Sequence, residues 1–194
     1  MCVDVVLSYG LLHSKDLDVN PKNPSLDFSE LKYFPIPSSK QQSDLTVSFV
    51  DTWNASRYFG KDRVHEGCDL ITFYDLPGVY PVISASDGTI EKMGWLTLGG
   101  YRIGIRTDSG IYCYYAHLDS YAPQIKVGDR VDAGEWIGFV GNSGYGEEGT
   151  RGMFVTHLHF GIYIPQKEGD TPINPYPYLR ELESKKLTYS YGLP

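Results

Sequence analysis

The sequence predicts a mainly β fold, a compact antiparallel sheet or sandwich with an irregular N-terminal arm and a short C-terminal helix. Its 16 tyrosines and 8 phenylalanines are aromatic types that are enriched in strands. Its 21 glycines and 12 prolines indicate frequent turns. Short alternating runs at close spacing, divided by turn signals, are typical of a sandwich or a barrel-like sheet.

The first predicted element is an arm or linker over residues 1–44, with one short helix near residues 25–33. This stretch is rich in Pro, Ser, Asn, Asp and Lys, a composition that favours irregular structure. We expect the folded domain to occupy residues 45–185 and a short tail to occupy residues 186–194.

Within the domain, three runs alternate with the period of two that is typical of a strand. They are residues 45–50, 101–106 and 110–116. Turn signals separate these runs, at Asp87-Gly88, Gly99-Gly100 and Asp108-Ser109-Gly110. Residues 174–183 are predicted to form a turn that leads into the C-terminal helix.

Charge and cysteine content exclude several classes of protein. The net charge is −7, and the sequence has no run of Lys or Arg. A nucleic-acid partner is therefore not expected, because neutralising phosphates needs clustered cations. Three cysteines are too few for a disulfide scaffold. No stretch approaches the roughly 20 apolar residues of a membrane span.

The first residues do not resemble a signal peptide. Residues 1–7 have no basic segment, and Asp4 interrupts their apolar run. The protein is therefore either cytoplasmic or directed by an export segment that lies outside this sequence.

His157-Leu158-His159 lies in an alternating run of β-branched and aromatic residues. Side chains at i and i+2 of a strand face the same side, so both imidazoles point one way, about 7 Å apart at Cα. Leu158 and Phe160 then point the other way, into a core. Taken alone, the two histidines are either half of a metal site or a solvated surface pair.

His65 and Asp69 stand four residues apart and can converge on one cation if the chain turns between them. Gly67 permits such a turn. Zinc accepts nitrogen and carboxylate ligands, and a catalytic site uses three protein ligands and leaves one position open. One histidine of the 157–159 pair would be the third ligand; the alternative is an N-capping Asp near an incidental His.

His117 follows Tyr115-Ala116 at the end of a predicted strand, where a lone histidine is usually structural. However, four of the five histidines fall in these three short motifs. Their joint occurrence, rather than any single motif, indicates a site.

In this order the motifs resemble those of the LytM/lysostaphin-like zinc metallopeptidases, the M23 peptidase family. The His-x-x-x-Asp, Tyr-x-His-Leu and His-x-His motifs stand at residues 65–69, 115–118 and 157–159. Residues 84–90 look like the strand pair that follows the first motif, and residues 127–144 look like the family's glycine-punctuated hairpin. The resemblance covers about residues 50–180.

The resemblance implies an antiparallel β fold with a groove across one sheet, a duplicated hybrid motif and a lipoyl-like hairpin. It implies that His65, Asp69 and His159 bind Zn²⁺ and that His117 and His157 are catalytic. The implied activity is hydrolysis of peptide links in bacterial peptidoglycan, in the stem peptide or the cross-bridge. We expect a monomer in the cell envelope or outside the cell, whose export segment lies outside this sequence.

Three features bear on this assignment. Residues 145–156 form a longer connection than the family pattern suggests, and we expect them to lie over one end of the groove. Cys68 neighbours Asp69, but neighbouring side chains in an extended segment point apart, and the resemblance favours Asp69 as the ligand. Tyr58 is a candidate for a group that contacts the ligands or donates to the oxyanion.

Two other functions are consistent with parts of the sequence. One is a catalytically inactive, peptidase-like module that binds and activates cell-wall or division enzymes, although all five expected site positions are filled. The other is a carrier or phosphotransfer domain. However, the hairpin tip at residues 132–136 has no modifiable Lys, and phosphotransfer leaves Asp69 unexplained.

Overall fold

The chain is mainly β, as predicted, and the part that this computed structural model describes, residues 26–194, contains fourteen strands and one α-helix. The strands are β1 (Ser38–Ser39), β2 (Val47–Ser48), β3 (Ser56–Tyr58), β4 (Asp62–Val64), β5 (Cys68–Thr72), β6 (Pro81–Ile83), β7 (Gly88–Leu96), β8 (Gly100–Arg106), β9 (Tyr112–Tyr121), β10 (Arg130–Val131), β11 (Trp136–Val140), β12 (His157–Gln166), β13 (Gly169–Ile173) and β14 (Thr188–Tyr189). Helix α1 spans Tyr176–Leu182, and single 3₁₀ turns span Phe28–Glu30 and Glu183–Lys185.

One antiparallel sheet carries most of these strands, in the order β10-β7-β8-β9-β12-β5-β2. Strand β11 pairs with β9 and β6, and β13 pairs with β12. Strands β10 and β11, from the glycine-punctuated segment, thus pair with other strands rather than with each other. The long strands β9 and β12 have hydrogen-bonded neighbours on both edges, so they form the most constrained part of the sheet.

Strand β12 shows how the sequence pattern places the core. Its residues Leu158, Phe160 and Ile162 are fully buried, and they alternate with the two histidines along the strand. Burying each such side chain contributes roughly 1.5–3 kcal/mol. This confirms the predicted division of the strand into an apolar face and a face that carries His157 and His159.

The segment that the sequence analysis assigned to an arm packs against the domain from residue 26 onward. Leu31, Phe34 and Ile36 are buried in the main core. The helix expected near residues 25–33 is a single 3₁₀ turn, Phe28–Glu30, capped by Asp27. Core contacts, rather than helical hydrogen bonds, order this proline-rich stretch. Residues 1–25 of the expected arm lie outside the described residues.

The C-terminal end is also tied to the domain. Strand β14 pairs in parallel with β1 through Ser38↔Thr188 and Ser39↔Tyr189. The tail predicted for residues 186–194 therefore contributes a strand. Within residues 26–194, no helix has both the length and the apolar character needed to cross a membrane.

Candidate active site and metal centre

A cleft of about 810 Å³ lies on the face of the sheet that carries His157 and His159. Strands β5, β9 and β12 form its floor, and the β3–β4 hairpin contributes to one wall. Residues 96–99 and the side chains of Tyr145, Phe154 and Val155 line it as well. Its volume lies within the roughly 300–1,000 Å³ that is typical of ligand sites. Four of the chain's five histidines line it.

Three ligand atoms meet at one point in this cleft. His65 Nε2 lies 2.9 Å from His159 Nδ1 and 3.0 Å from Asp69 Oδ1. His159 Nδ1 lies 3.1 Å from the same oxygen. Because β5 and β12 are antiparallel and pair Asp69 with His159, the register of the sheet sets this meeting. The structure thus brings together the three residues that the sequence predicts as metal ligands.

The chemistry of this donor set fits a divalent metal ion. His65 Nδ1 lies 3.0 Å from the Thr52 carbonyl, to which it donates, so Nε2 presents a lone pair. That lone pair faces the Asp69 carboxylate, and two such acceptors at contact distance require a proton or a cation between them. The spacing is close to the about 3.3 Å edge of a tetrahedron with metal–ligand bonds of about 2.0–2.1 Å.

Arg57 supports the carboxylate from its other side, a contact that sequence reasoning missed. Its guanidinium donates to Asp69 Oδ2 at 3.2 Å, which leaves Oδ1 directed at the histidines. Burial acts to raise the pKa of Asp69, but the close imidazoles of His159 and His65 outweigh burial and hold the pKa below its ordinary range. No spacing rule links residues 57 and 69, since only the folded β3–β4 hairpin brings them together.

Gly67 serves the site through its size. Its φ is not in the left-handed region, so the turn does not require glycine's conformational freedom, which the sequence analysis had invoked. A Cβ atom at this position would instead lie 2.4 Å from Cε1 of His159 and 2.8 Å from the Phe160 carbonyl oxygen. Only glycine leaves room for this imidazole.

Cys68 points away from the cleft. It is fully buried, pairs across the sheet with Phe160, and donates from Sγ to the Val50 carbonyl at 3.3 Å. Burial raises the pKa of its thiol to about 12. As expected for neighbours in an extended segment, Asp69 reaches the ligand cluster and Cys68 does not.

The other two cleft histidines are held by carbonyl groups. His117 Nδ1 lies 2.9 Å from the Ser143 carbonyl, and His157 Nδ1 lies 2.7 Å from the Val155 carbonyl. Each Nδ1 carries the proton that it donates, so each Nε2 presents a lone pair. Burial lowers the pKa of both imidazoles, that of His117 well below its ordinary value. Both are therefore neutral near pH 7.

Aromatic packing fixes the relative position of these two rings. Their centroids lie 4.8 Å apart, and Phe154 packs on His117 at 4.5 Å and on His157 at 5.0 Å. His157 Nε2 is also 3.7 Å from Asp69 Oδ1. The pair therefore stands beside the ligand cluster. The sequence offered no signal for Phe154 beyond its place in the long connection.

A β-bulge turns His117 toward the cleft. On β8, Tyr101 pairs with Leu118 and Ile103 pairs with Tyr115, so β9 carries one extra residue. Strict alternation would place His117 on the buried face with Tyr115. The bulge and the left-handed backbone of His117, with φ of 63°, present its side chain to the cleft instead. Bulges of this kind re-aim side chains near functional sites.

The structure does not bring Tyr58 to the site. Its side chain is 72% exposed on the β3–β4 hairpin, and it is absent from the cleft lining. Its neighbour Arg57 points inward instead. Three other tyrosines line the cleft, and sequence reasoning singled out none of them. Tyr114 lies beside His159, Tyr145 lies beside His117, and Tyr163 packs against Tyr114.

Comparison with known proteins identifies the family to which this sequence is similar. The sequence matches the model of Peptidase family M23 over residues 63–175, more than half of the chain. It is 43% identical over 150 residues to the L-Ala–D-Glu endopeptidase of Bacillus subtilis. The matched segment makes up 77% of this chain and 43% of that protein. It is 36% identical over 102 residues to the glycyl-glycine endopeptidase ALE-1 of Staphylococcus capitis, 52% of this chain and 26% of that protein.

Among solved structures, the fold is similar to that of a candidate glycyl-glycine endopeptidase, lytM from Ruminococcus gnavus. The TM-score is 0.79 and the identity 47%, over 84% of this chain and 65% of that one. The chain spans less than half the length of the two curated relatives named above.

Proposed function

The chain belongs to Peptidase family M23, and from that membership we propose that it is a zinc-dependent endopeptidase that hydrolyses peptide bonds in bacterial peptidoglycan. The observation that supports this most is the meeting of His65 Nε2, Asp69 Oδ1 and His159 Nδ1 within 3.1 Å. Two neutral histidines stand beside this cluster in the same cleft, and an endopeptidase needs both a metal site and proton-transfer groups.

In the proposed mechanism, His65, Asp69 and His159 would hold the metal ion, and Arg57 keeps the carboxylate in orientation. A bound Zn²⁺ ion would act as a Lewis acid and lower the pKa of a water molecule toward about 7. Either His117 or His157 accepts a proton from the attacking water at Nε2 and later delivers it to the leaving amine. The other takes up a proton from solvent at Nε2 as negative charge develops beside it, and donates that proton in a hydrogen bond to the oxyanion of the tetrahedral intermediate.

The relatives suggest the substrate and the location. One is named an L-Ala–D-Glu endopeptidase and another a glycyl-glycine endopeptidase, so we propose a stem peptide or cross-bridge of peptidoglycan as the substrate. We propose that the protein acts as a monomer at the cell envelope or outside the cell, where this polymer lies. Its net charge of −7 argues against nucleic acid as a further partner.

Digestion of purified peptidoglycan tests the proposal. Sacculi incubated with zinc-loaded protein should release soluble fragments, and mass spectrometry of new amino and carboxyl ends identifies the bond that is cut. The control is His117→Ala, which should keep its zinc and release at least about 10²-fold less material. Intact sacculi after incubation with zinc-loaded protein would contradict the endopeptidase assignment.

A binding assay separates the alternative function of an inactive module. If the zinc-loaded protein pulls down sacculi without releasing fragments, the chain binds peptidoglycan but does not cut it. Release that is equal for the unmodified protein and His117→Ala would mean that the proposed proton-transfer role of His117 is wrong.

A further inference from the structure

We propose that Arg63 and Lys61 form a carboxylate-binding site in the cleft, and that the protein selects peptides with a free carboxylate near the bond that it cuts. This inference rests on the proposed function and narrows its substrate class. It favours stem peptides that carry acidic residues over uncharged bridges such as oligoglycine.

Not all cationic side chains of the cleft form an ion pair within the described residues. Three cationic side chains line it, Arg57, Lys61 and Arg63. Arg57 pairs with Asp69. Lys61 and Arg63 have no carboxylate within ion-pair distance among residues 26–194. Outside the cleft, several arginines have close acidic partners, for example in the pairs Arg106–Asp170, Arg130–Asp108 and Arg151–Asp119. Arg102 on β8 also lacks an acidic partner among residues 26–194, but it does not line the cleft.

Arg63 is held in place and only partly satisfied. Its guanidinium donates to the Tyr145 hydroxyl and lies 5.7 Å from the centroid of the same ring. Its Nε is buried and has no hydrogen-bond partner among the described residues. A partly buried charge without a counterion is costly. A substrate carboxylate would neutralise this charge by accepting hydrogen bonds from the guanidinium, a planar, fork-shaped donor group.

The position of Arg63 relative to the site limits where the carboxylate can lie. The Tyr145 ring that contacts Arg63 is 6.1 Å from the His117 ring. The guanidinium is therefore within about 12 Å of His117, roughly the reach of three extended residues. The carboxylate should belong to a residue that flanks the cut bond or lies close to it along the peptide.

The acidic side chains of the cleft do not neutralise Arg63 and Lys61, so the preference for a substrate carboxylate remains. Outside the ligand cluster, Glu66 is the one acidic side chain that lines the cleft within residues 26–194, and it makes no ion pair with Arg63 or Lys61. A glycine bridge offers neither a carboxylate nor a side chain, so it would leave both cations unpaired. Selection against partners that leave a charge unpaired is a common source of specificity.

The test compares substrates that differ by one charge. One peptide is L-Ala-γ-D-Glu-L-Lys with the free α-carboxylate of D-Glu, and its match has that carboxylate converted to the amide. We expect the zinc-loaded protein to cleave the acid with a kcat/KM about 10- to 100-fold above that of the amide, the usual scale for a charged hydrogen bond. Equal rates would overturn the inference, and this comparison requires no variant.

Variants then assign the selectivity to residues. Arg63→Gln should lower the acid-to-amide ratio by about 10-fold or more, and Arg63→Lys should keep part of it because the charge remains. Lys126→Gln is the control, since it removes an equal charge at an exposed position outside the cleft lining. If Lys126→Gln lowers the ratio as much as Arg63→Gln, general charge attraction explains the selectivity and the proposed site is wrong.

Two further experiments distinguish failure of this inference from failure of the proposed function. Cleavage of sacculi without any acid-to-amide preference would keep the function and reject the carboxylate site. If no substrate is cut, calorimetric titration of both peptides still tests the carboxylate-binding site. Tighter binding of the acid peptide supports the site, and equal binding of the two peptides rejects it. An α-linked L-Ala–L-Glu peptide and its amide show whether the carboxylate must come from peptidoglycan or from any acidic peptide.

Discussion

At the scale of single residues, the two groups of cleft histidines differ in what their Nε2 and Nδ1 atoms contact. His65 and His159 direct nitrogen atoms at Asp69 Oδ1. His117 and His157 direct Nδ1 at backbone carbonyls. We propose that this difference separates metal binding from proton transfer, although His157 and His159 are neighbours on one strand face.

The difference predicts two classes of alanine variant. Three variants should each lose both zinc and activity, because only two of the three proposed ligands remain in each. They are His65→Ala, Asp69→Ala and His159→Ala. His117→Ala and His157→Ala should keep about one zinc per chain and lose about 10²-fold or more in turnover. Mass spectrometry for metal content and the sacculus assay measure the two quantities.

Cys68→Ala is the matched control for this series. Its thiol lies on the buried face, so the variant should keep its zinc despite being adjacent to Asp69. Loss of zinc from Cys68→Ala together with retention in Asp69→Ala would reverse the ligand assignment. Loss from His157→Ala with retention in His159→Ala would reverse the roles within the strand pair.

Gly67→Ala tests the space around His159. The new methyl group would meet the imidazole at 2.4 Å, and crowding of this kind usually costs about 1–3 kcal/mol of stability. We also expect zinc affinity to fall by about 10-fold or more, because the ligand must rotate. Competition with a zinc chelator measures the affinity, and urea unfolding measures the stability.

Gly169→Ala is the control for this substitution. Gly169 has a φ of 116° and open space around its Cβ position. Alanine there strains the backbone without touching the site. We therefore expect a loss of stability with unchanged zinc affinity, and equal losses of affinity in both variants would show that the effect at Gly67 is not local.

Much of the site could be predicted at this scale because its signals are local. The i and i+2 spacing of His157 and His159 is sufficient to place both on one face. Arg57 and Tyr145 could not be predicted in the same way. Their roles depend on the hairpin and the long connection meeting the sheet, and no short sequence pattern encodes such a meeting.

At the scale of elements, the bulge in β9 determines where His117 points. The extra residue arises from the register in which β9 pairs with β8, and the pairing of β9 with β11 contains a further shift of register. An alternating pattern read from the sequence cannot reveal it, since strict alternation would place His117 with the core. The strand could therefore be predicted, but the direction of its most important side chain could not.

The backbone of His117 predicts an order of stability among variants. A left-handed φ of 63° suits glycine and strains residues that have a Cβ atom. We expect His117→Gly to be more stable than His117→Ala by about 0.5–1 kcal/mol, with both equally inactive. Urea unfolding of the two variants measures the difference, and a more stable alanine variant would mean that the backbone of β9 is not left-handed here.

At the scale of the whole molecule, the metal should stabilise the fold because its ligands come from separate parts of the chain. Zinc at about 1,000 times its dissociation constant adds about 4 kcal/mol. For a chain of this length, that corresponds to a rise in Tm on the order of 10 °C. Calorimetry with and without zinc should show the rise in the unmodified protein and in His157→Ala.

The same scan of His65→Ala is the control. With one ligand removed, zinc should leave its Tm nearly unchanged. A full rise in His65→Ala would place the stabilising metal elsewhere in the molecule.

The N-terminal segment packs against the core from residue 26 onward, and we propose that it belongs to the same folding unit, which then begins before residue 45. Phe34 is fully buried and packs on Phe49 at 5.5 Å. Phe34→Ala should therefore cost about 3–5 kcal/mol of stability. Phe73→Ala, at a 67% exposed position, should change stability by less than about 1 kcal/mol. Equal effects in urea unfolding would mean that residues before 45 are not part of the unit.

This boundary was the least predictable feature of the fold. Prolines and polar residues dominate the composition of residues 26–44, and three apolar residues at irregular spacing carry the packing. Composition reports the average character of a segment, whereas burial depends on where a few side chains meet the core.

The carbonyl groups that orient His117 and His157 belong to Ser143 and Val155, which bracket one loop. Each end is fastened to the sheet independently of the interior, since the Ser143 hydroxyl donates to the Leu118 carbonyl and the Thr72 hydroxyl donates to the Thr156 carbonyl. We therefore expect that residues 146–153, which lie between Tyr145 and Phe154, can be exchanged as a cassette while the imidazoles stay aligned. Chimaeras that swap this stretch between relatives offer a route to redirect cleavage without rebuilding the chemistry.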